Sequence, residues 1–345
     1  MLYFSPFITS FLISVSLLCL ILFLCSKFDF LKSVKKVGRG SAAGKVCRLG
    51  GAAIIIGFVS ALFLNSNLII SEKLWGIIIV SMLVLVFGII DDFWELDWKT
   101  QLIFQISIAL LIFIFGIRIE YVTNPAGGLI FLNVGKYLLP SFVFASVWII
   151  LMINSMNWVD GVDGLSGGVA LIGVLTIFFL SLKPEVNQPP VGIITMALAG
   201  SILGFLIFNF HPSRILAGTS GSMFFGFILA TLAIFAGTKI ATALLVMAVP
   251  IIDALWVIGE RMRSGNSIFK SDNRHLHYKL LEIGWSPKKI ALFFYGVTFL
   301  IAIVAVNTRV MGKIITLVLA VAIMVATLIF VGKRRDEALP RLYEK

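Results

Sequence analysis

The chain has 345 residues, of which 59% are hydrophobic and only 13% charged, a balance that excludes a soluble globular protein and indicates an integral membrane protein. Its 28 Lys and Arg against 17 Asp and Glu give a net charge of +11. That excess needs no nucleic-acid partner, because cytoplasmic Lys and Arg bordering anionic lipid account for most of it.

Eleven apolar runs follow one another, with cores near 3 to 25, 50 to 69, 74 to 90, 101 to 117, 138 to 153, 165 to 182, 191 to 209, 221 to 237, 240 to 258, 290 to 306 and 314 to 331. Most approach the length a helix needs to cross the hydrocarbon layer, where a helix satisfies its own backbone groups. No Lys or Arg precedes the first run and several follow it, so it reads as a retained helix with its N-terminus outside rather than a signal peptide. Alternation then places 26 to 49, 91 to 100, 154 to 164, 210 to 220, 259 to 289 and the tail inside, and these segments hold 21 of the 28 Lys and Arg. The expected architecture is an all-α polytopic bundle of about 10–11 transmembrane helices, a single domain over 1–345 in the cell (inner) membrane, with the basic loop 259–289 inside it. Cys19 and Cys25 in the first run and Cys47 after it read as small buried hydrophobes rather than a disulfide framework.

Asp91 and Asp92 close the third run side by side. Carboxylates at a helix C-terminus oppose the helix dipole, and acids at a lipid boundary are costly, so a site explains them better than helix termination does. The outer segment 120 to 137, with Pro125, Gly127, Gly128 and Asn133 among β-branched and aromatic residues, predicts a short hairpin. From Asn154 to Leu165 the chain reads Asn-Ser-Met-Asn-Trp-Val-Asp-Gly-Val-Asp-Gly-Leu, with Asn157, Asp160 and Asp163 as candidate ligands. One Asp-Gly pair is ordinarily a turn; two of them with paired Asn upstream indicate a polar site. An EF-hand fits less well, since the ligand spacing and terminal Glu are missing.

In the ninth run Pro250 predicts a kink, and Asp253 reads as a group that satisfies the break rather than a catalytic one. His275-Leu276-His277 follows in the basic loop with Lys270, Arg274 and Lys279. Two imidazoles two positions apart address one ligand only from an extended segment, and an anionic substrate suits them better than a metal. Oxygen donors without a Cys or His cluster favour Mg²⁺, with Mn²⁺ as the alternative, over zinc. All these groups fall on the side read as cytoplasmic, which suits phosphoryl transfer between a soluble nucleotide and a lipid phosphate.

Asp91-Asp92 with Leu96 and Gln105, the NxxNxxDGxDGL pattern from Asn154 to Leu165, Asn209, and His-x-His at 275 to 277 together resemble the polyprenyl-phosphate N-acetylhexosamine-1-phosphate transferases, the family 4 glycosyltransferases that include MraY, WecA and TagO. The resemblance covers nearly the whole chain. It implies attack by a polyprenyl (undecaprenyl) phosphate on the β-phosphate of a UDP-N-acetylhexosamine with Mg²⁺, releasing UMP and starting a cell-surface glycan. By position it implies catalytic roles for Asp91 and Asp92, a metal side of Asn157, Asp160 and Thr219, and substrate contacts from Asp163 (to uracil), Asn209, His275 and His277. His275-Leu276-His277-Tyr278 is closer to the His-x-His-His of the WecA and TagO group than to the three consecutive His of MraY, which favours UDP-N-acetylglucosamine over the muramyl-pentapeptide nucleotide. A homodimer is left open.

The sequence also departs from that family. Gln101 stands where the family has Lys, and Leu216-Ala217-Gly218-Thr219 stands for Phe-Met-Gly-Asp, which removes a metal-binding carboxylate and a ring for uracil stacking. A Lys and an Asp lost together leave the net charge unaltered, so the expectation is a neutral pair, with Thr219 meeting the metal through its hydroxyl or a water. The alternatives are a catalytically weakened homologue acting as regulator or scaffold, a phospho-MurNAc-pentapeptide transferase, and a transporter, whose acids would lie nearer the membrane midplane.

Overall fold

The computed structural model describes residues 1–28, 32–33, 46–124, 128–133, 138–237, 240–267 and 273–343. Lys270, Pro125 and Gly127 lie outside them. The described chain is helical almost throughout: α1 (Phe4–Lys27), α2 (Gly50–Leu64), α3 (Glu72–Trp94), α4 (Trp98–Ile114), α5 (Leu139–Val159), α6 (Leu165–Ser181), α7 (Pro189–Asn209), α8 (Gly218–Phe235), α9 (Ile240–Val246), α10 (Ala248–Arg263), α11 (Leu276–Glu282), α12 (Pro287–Asn307) and α13 (Val310–Tyr343). Side-chain caps start several of them: Ser71 accepts from the Leu74 amide at 3.4 Å, and Asp97 from the Thr100 amide at 3.1 Å.

The eleven apolar runs all become helix. Seven are long and apolar enough to cross a membrane, and the bent pair α9–α10 makes an eighth. The other three, α2, α4 and α6, are shorter apolar helices of 15, 17 and 17 residues, about 22 to 26 Å long at ~1.5 Å per residue, at the short end of what a crossing needs. The chain is therefore a multi-pass membrane protein with eight candidate spans and three short apolar helices among the described residues. The break between α9 and α10 bends the axis by 74° and falls at Met247, not at Pro250. Pro250 lies in the first turn of α10, where its missing N–H removes the bond that would have run back to Val246 across the break.

α8 is the axis of the bundle, and every residue from Gly218 to Ile234 is buried. Small residues let its neighbours reach its backbone. A Cβ on Gly88 of α3 would lie 2.2 Å from the Ser220 Cα, one on Gly51 of α2 2.3 Å from the Gly221 amide nitrogen, and one on Gly226 2.4 Å from the Ile153 Cα of α5. α1 approaches α7 in the same way, where Ser14 donates to the Ser201 carbonyl at 3.0 Å.

Two small sheets sit outside the helices. The predicted hairpin forms as β3 (Tyr121–Thr123) antiparallel to β4 (Leu129–Phe131). β1 (Lys32–Ser33) pairs with β2 (Val46–Cys47), and Cys47 bridges to Ile215 just before α8. Cys25 at the end of α1 lies beside Cys47, with Cα atoms 6.4 Å apart, and Cys19 is exposed. The return of the 46–49 segment to the end of α1 brings the two together.

Candidate active site at one end of the bundle

The polar groups singled out from the sequence gather where α3, α5 and α7 end and α8 begins. Asp91 and Asp92 lie in the last turn of α3, not beyond it, and both are buried. The first-turn amides of α8 have no acceptor inside their own helix, and Asp92 supplies one: its Oδ2 accepts from the Thr219 N–H at 2.9 Å. The Thr219 hydroxyl donates to Asp91 Oδ2 at 2.7 Å and lies 3.3 Å from Asp92 Oδ1. Gln101 of α4 donates to Asp91 Oδ1 at 2.9 Å, and the Leu96 amide donates to the same atom at 3.0 Å. Gln101 and Thr219, the two departures noted above, thus meet on one carboxylate.

Gly218 makes this contact possible. It has φ +70, and a Cβ there would lie 2.2 Å from the Arg48 carbonyl oxygen and 2.3 Å from Asp92 Oδ2. Arg48 was not singled out by the sequence, yet its guanidinium lies 3.7 Å from Asp92 Oδ1. Seven Lys and Arg crowd residues 26 to 49, and the positive-inside rule accounted for them as a group.

The Asn154–Leu165 motif divides. Its first half is helix, the last turns of α5, rather than loop. Asn154 donates to Gln105 of α4 at 2.7 Å, and Asn157 Oδ1 accepts from Ser222 of α8 at 2.8 Å, one turn after Thr219. Asp160 accepts from the Ser166 hydroxyl of α6 and is pushed up to about 7, mainly by burial, with the charges of Asp92 and Asp163 also raising it and Arg48 lowering it.

Asp163 and Asn209 face the protein. Both Asp163 oxygens are engaged: Oδ2 with His211 Nδ1 at 2.8 Å and the Ser213 amide at 3.2 Å, Oδ1 with the Ser213 hydroxyl at 2.8 Å. Asn209 accepts from the Gly164 amide at 3.0 Å and donates to the Ile215 carbonyl at 2.8 Å. These two residues tie the 160–164 turn to the loop leading into α8.

His275 is the N-cap of α11, in an extended conformation, and His277 lies inside that helix. The extended cap permits what a continuous helix would not: the rings lie 5.8 Å apart and nearly parallel, at 8°. Asp253 sets the arrangement, accepting from the Leu276 amide at 2.8 Å and meeting His275 Nδ1 at 2.8 Å, so it serves α11 rather than the helix break. His277 is fully buried against Gly161, neither ring nitrogen has a hydrogen-bond partner among the described residues, and burial pulls its pKa down to about 3. Tyr278 also packs over Gly161, with its hydroxyl pKa raised by burial and by Asp160.

Among the described residues, no group of three or more His, Cys, Asp or Glu could hold a metal ion. The donors at the α3–α8 junction are nevertheless all hard oxygens: two adjacent carboxylates, the Thr219 hydroxyl and, one turn further, the Asn157 amide oxygen. That set fits Mg²⁺ shared with substrate phosphates, which takes one or two carboxylates from a protein, and does not fit an all-protein cage.

Residues 74–237 match the model of glycosyl transferase family 4. The chain is 34% identical over 281 residues to the decaprenyl-phosphate N-acetylglucosaminephosphotransferase of Mycobacterium tuberculosis (strain ATCC 25618 / H37Rv), covering 72% of this chain and 68% of that one. It is 34% identical over 316 residues to the protein of the same name from Mycolicibacterium smegmatis, covering 82% and 77%. With the phospho-N-acetylmuramoyl-pentapeptide-transferase of Halalkalibacterium halodurans it shares 31% over 322 residues, covering 88% and 96%.

Proposed function

The chain belongs to glycosyl transferase family 4, and from that premise we propose that it transfers N-acetylglucosamine 1-phosphate from a UDP-sugar to a polyprenyl phosphate. An oxygen of the lipid phosphate forms a bond to the β-phosphorus, and the bond from that phosphorus to the bridging oxygen breaks. UMP leaves with the electron pair, and the lipid keeps a diphosphate-linked sugar. The observation that carries the reading is the pair of buried acids, Asp91 and Asp92, set against the open N-terminus of the most buried helix with a guanidinium beside them. Phosphoryl transfer is governed by positioning and charge neutralisation, and this junction supplies groups for both.

Asp92, Thr219 and Asn157 are the residues that would hold Mg²⁺ or Mn²⁺, which when bound offsets phosphate charge. Asp91, fixed by Gln101, Leu96 and Thr219, is the group that would take any proton still held by the attacking phosphate. That phosphate is already largely ionised near neutral pH, so placement matters more than proton removal. The relatives named as N-acetylglucosamine phosphotransferases support N-acetylglucosamine over the muramyl pentapeptide. The Lys and Arg distribution supports a cytoplasmic site, an outer N-terminus and a place in the cell membrane.

A second reading, substrate binding without turnover, is favoured by Thr219, which leaves the acid pair without a third carboxylate. Purified full-length protein with polyprenyl phosphate, labelled UDP-N-acetylglucosamine and Mg²⁺ separates the two. Labelled lipid together with UMP is expected, and chelation should abolish both. Retained nucleotide binding with no product under Mg²⁺ or Mn²⁺ overturns the transferase reading.

A further inference from the structure

We propose that Arg48 is a phosphate-binding residue of this site, its guanidinium held open for an oxygen of a substrate phosphate; the proposal rests on the transferase reading and extends it. Four contacts fix the backbone at this position. The Cys47 carbonyl accepts from the Leu216 amide at 2.9 Å, the Gly50 and Gly51 amides donate to Leu216 and Ala217 at 3.0 and 2.9 Å, and the Arg48 carbonyl abuts Gly218. Arg48 cannot withdraw without unpairing the segment that leads into α8.

Its side chain is only 22% exposed, and its Nε and Nη1 are buried without a hydrogen-bond partner among the described residues. A guanidinium stays charged and carries five N–H donors, so leaving buried ones unmade costs free energy. Were Arg48 simply the counterion of Asp92, the two would close into a fork at about 2.8 Å. They stand at 3.7 Å, with the donors unspent.

The surroundings suit an arriving phosphate. Arg48 acts electrostatically on Asp92, Asp160 and Tyr278, so it lies among the groups that would receive the diphosphate. Asp91, Asp92 and Asp160 would repel an anion there, and a fixed cation offsets that repulsion. Planar N–H donors also match phosphate oxygens better than an ammonium does. The phosphate comes either from the nucleotide or from the lipid, and binding measurements tell the two apart.

Calorimetry on the detergent-solubilised full chain with Mg²⁺ would compare UDP with uridine, and polyprenyl phosphate with polyprenol. Arg48→Gln should weaken one phosphate ligand by at least about tenfold, the loss of a charged hydrogen bond, and leave the matching phosphate-free compound unchanged. The arm that falls identifies the phosphate. Arg48→Lys keeps the charge without the fork and should fall between wild type and Arg48→Gln; it also decides the matter if Arg48→Gln does not fold. Unchanged affinity for both phosphates, or equal losses for uridine and polyprenol, would overturn the proposal and leave the transferase reading standing. Wild type that binds neither phosphate removes that reading, and this proposal with it, before any substitution is made.

Discussion

The α3–α8 junction and the loop cluster around Asp163 are built from the same residue types and use them differently. Asp91 and Asp92 share neutral donors from Gln101 and Thr219 and have an unsatisfied guanidinium beside them. Asp163, Asn209 and Asp253 are fastened to His211, Ser213, Gly164, Ile215 and His275. The second set joins separate loops to one another, whereas the first has unspent donors beside it, as a ligand site would require.

The largest effect should come from the junction. Asp92→Asn keeps an oxygen for the Thr219 amide and removes the charge, so the protein should retain its thermal midpoint in detergent. UMP release should drop by at least about 10²-fold, the scale for losing one electrostatic group at a phosphoryl or acyl centre. An equal fall in midpoint and rate would make Asp92 scaffold and erase the contrast.

Asp163→Ala tests the other side. It leaves the Ser213 amide without its acceptor and frees His211, a loss of roughly 2 to 4 kcal/mol for a broken buried charged network. The midpoint should fall clearly, with KM for the UDP-sugar nearly unchanged per folded molecule. A raised KM at an unchanged midpoint would instead make Asp163 the uracil contact that family resemblance implied.

How much of this could be read in advance depends on which forces act locally. The apolar runs named every helix that packs in the membrane, because burial in lipid is a property of each segment alone. Asp91, Asp92 and Asn157 were legible as costly groups at membrane boundaries. That they continue the helix was not, since donors from Thr219, Gln101 and Ser222 arrive only in the tertiary fold. Arg48 was hidden among basic residues that a topological rule already explained. Small residues were the available signal: Gly88, Gly51 and Gly218 each mark a point where α8 or its leading segment is approached too closely for a side chain.

Gln101 and Thr219 sharpen the comparison further. Both touch Asp91, so Thr219→Asp would set a third carboxylate beside two others, and like charges at that separation disfavour ionisation and binding. The single variant should lose about tenfold in rate, about one charged contact, and Gln101→Lys added to it should recover most of that loss. A double variant no better than the single would show that the two positions do not compensate each other.

At neutral pH His277 contributes nothing to the comparison; its effect appears only in acid. Folded, the ring is buried without partners and its pKa is about 3; unfolded, it returns to roughly 6.5. Between those values the unfolded chain binds the proton and the folded chain does not, so stability falls as pH drops below about 6.5, by up to about 1.4 kcal/mol per unit. Above pH 7 both forms are neutral and the residue contributes no pH dependence. Thermal midpoints of wild type should therefore decline through this window more steeply than those of His277→Phe, which fills the space over Gly161 with a ring that cannot titrate. Equal slopes would mean that His277 accepts a proton in the folded protein, which would set it with Arg48 among the groups that wait for an anion.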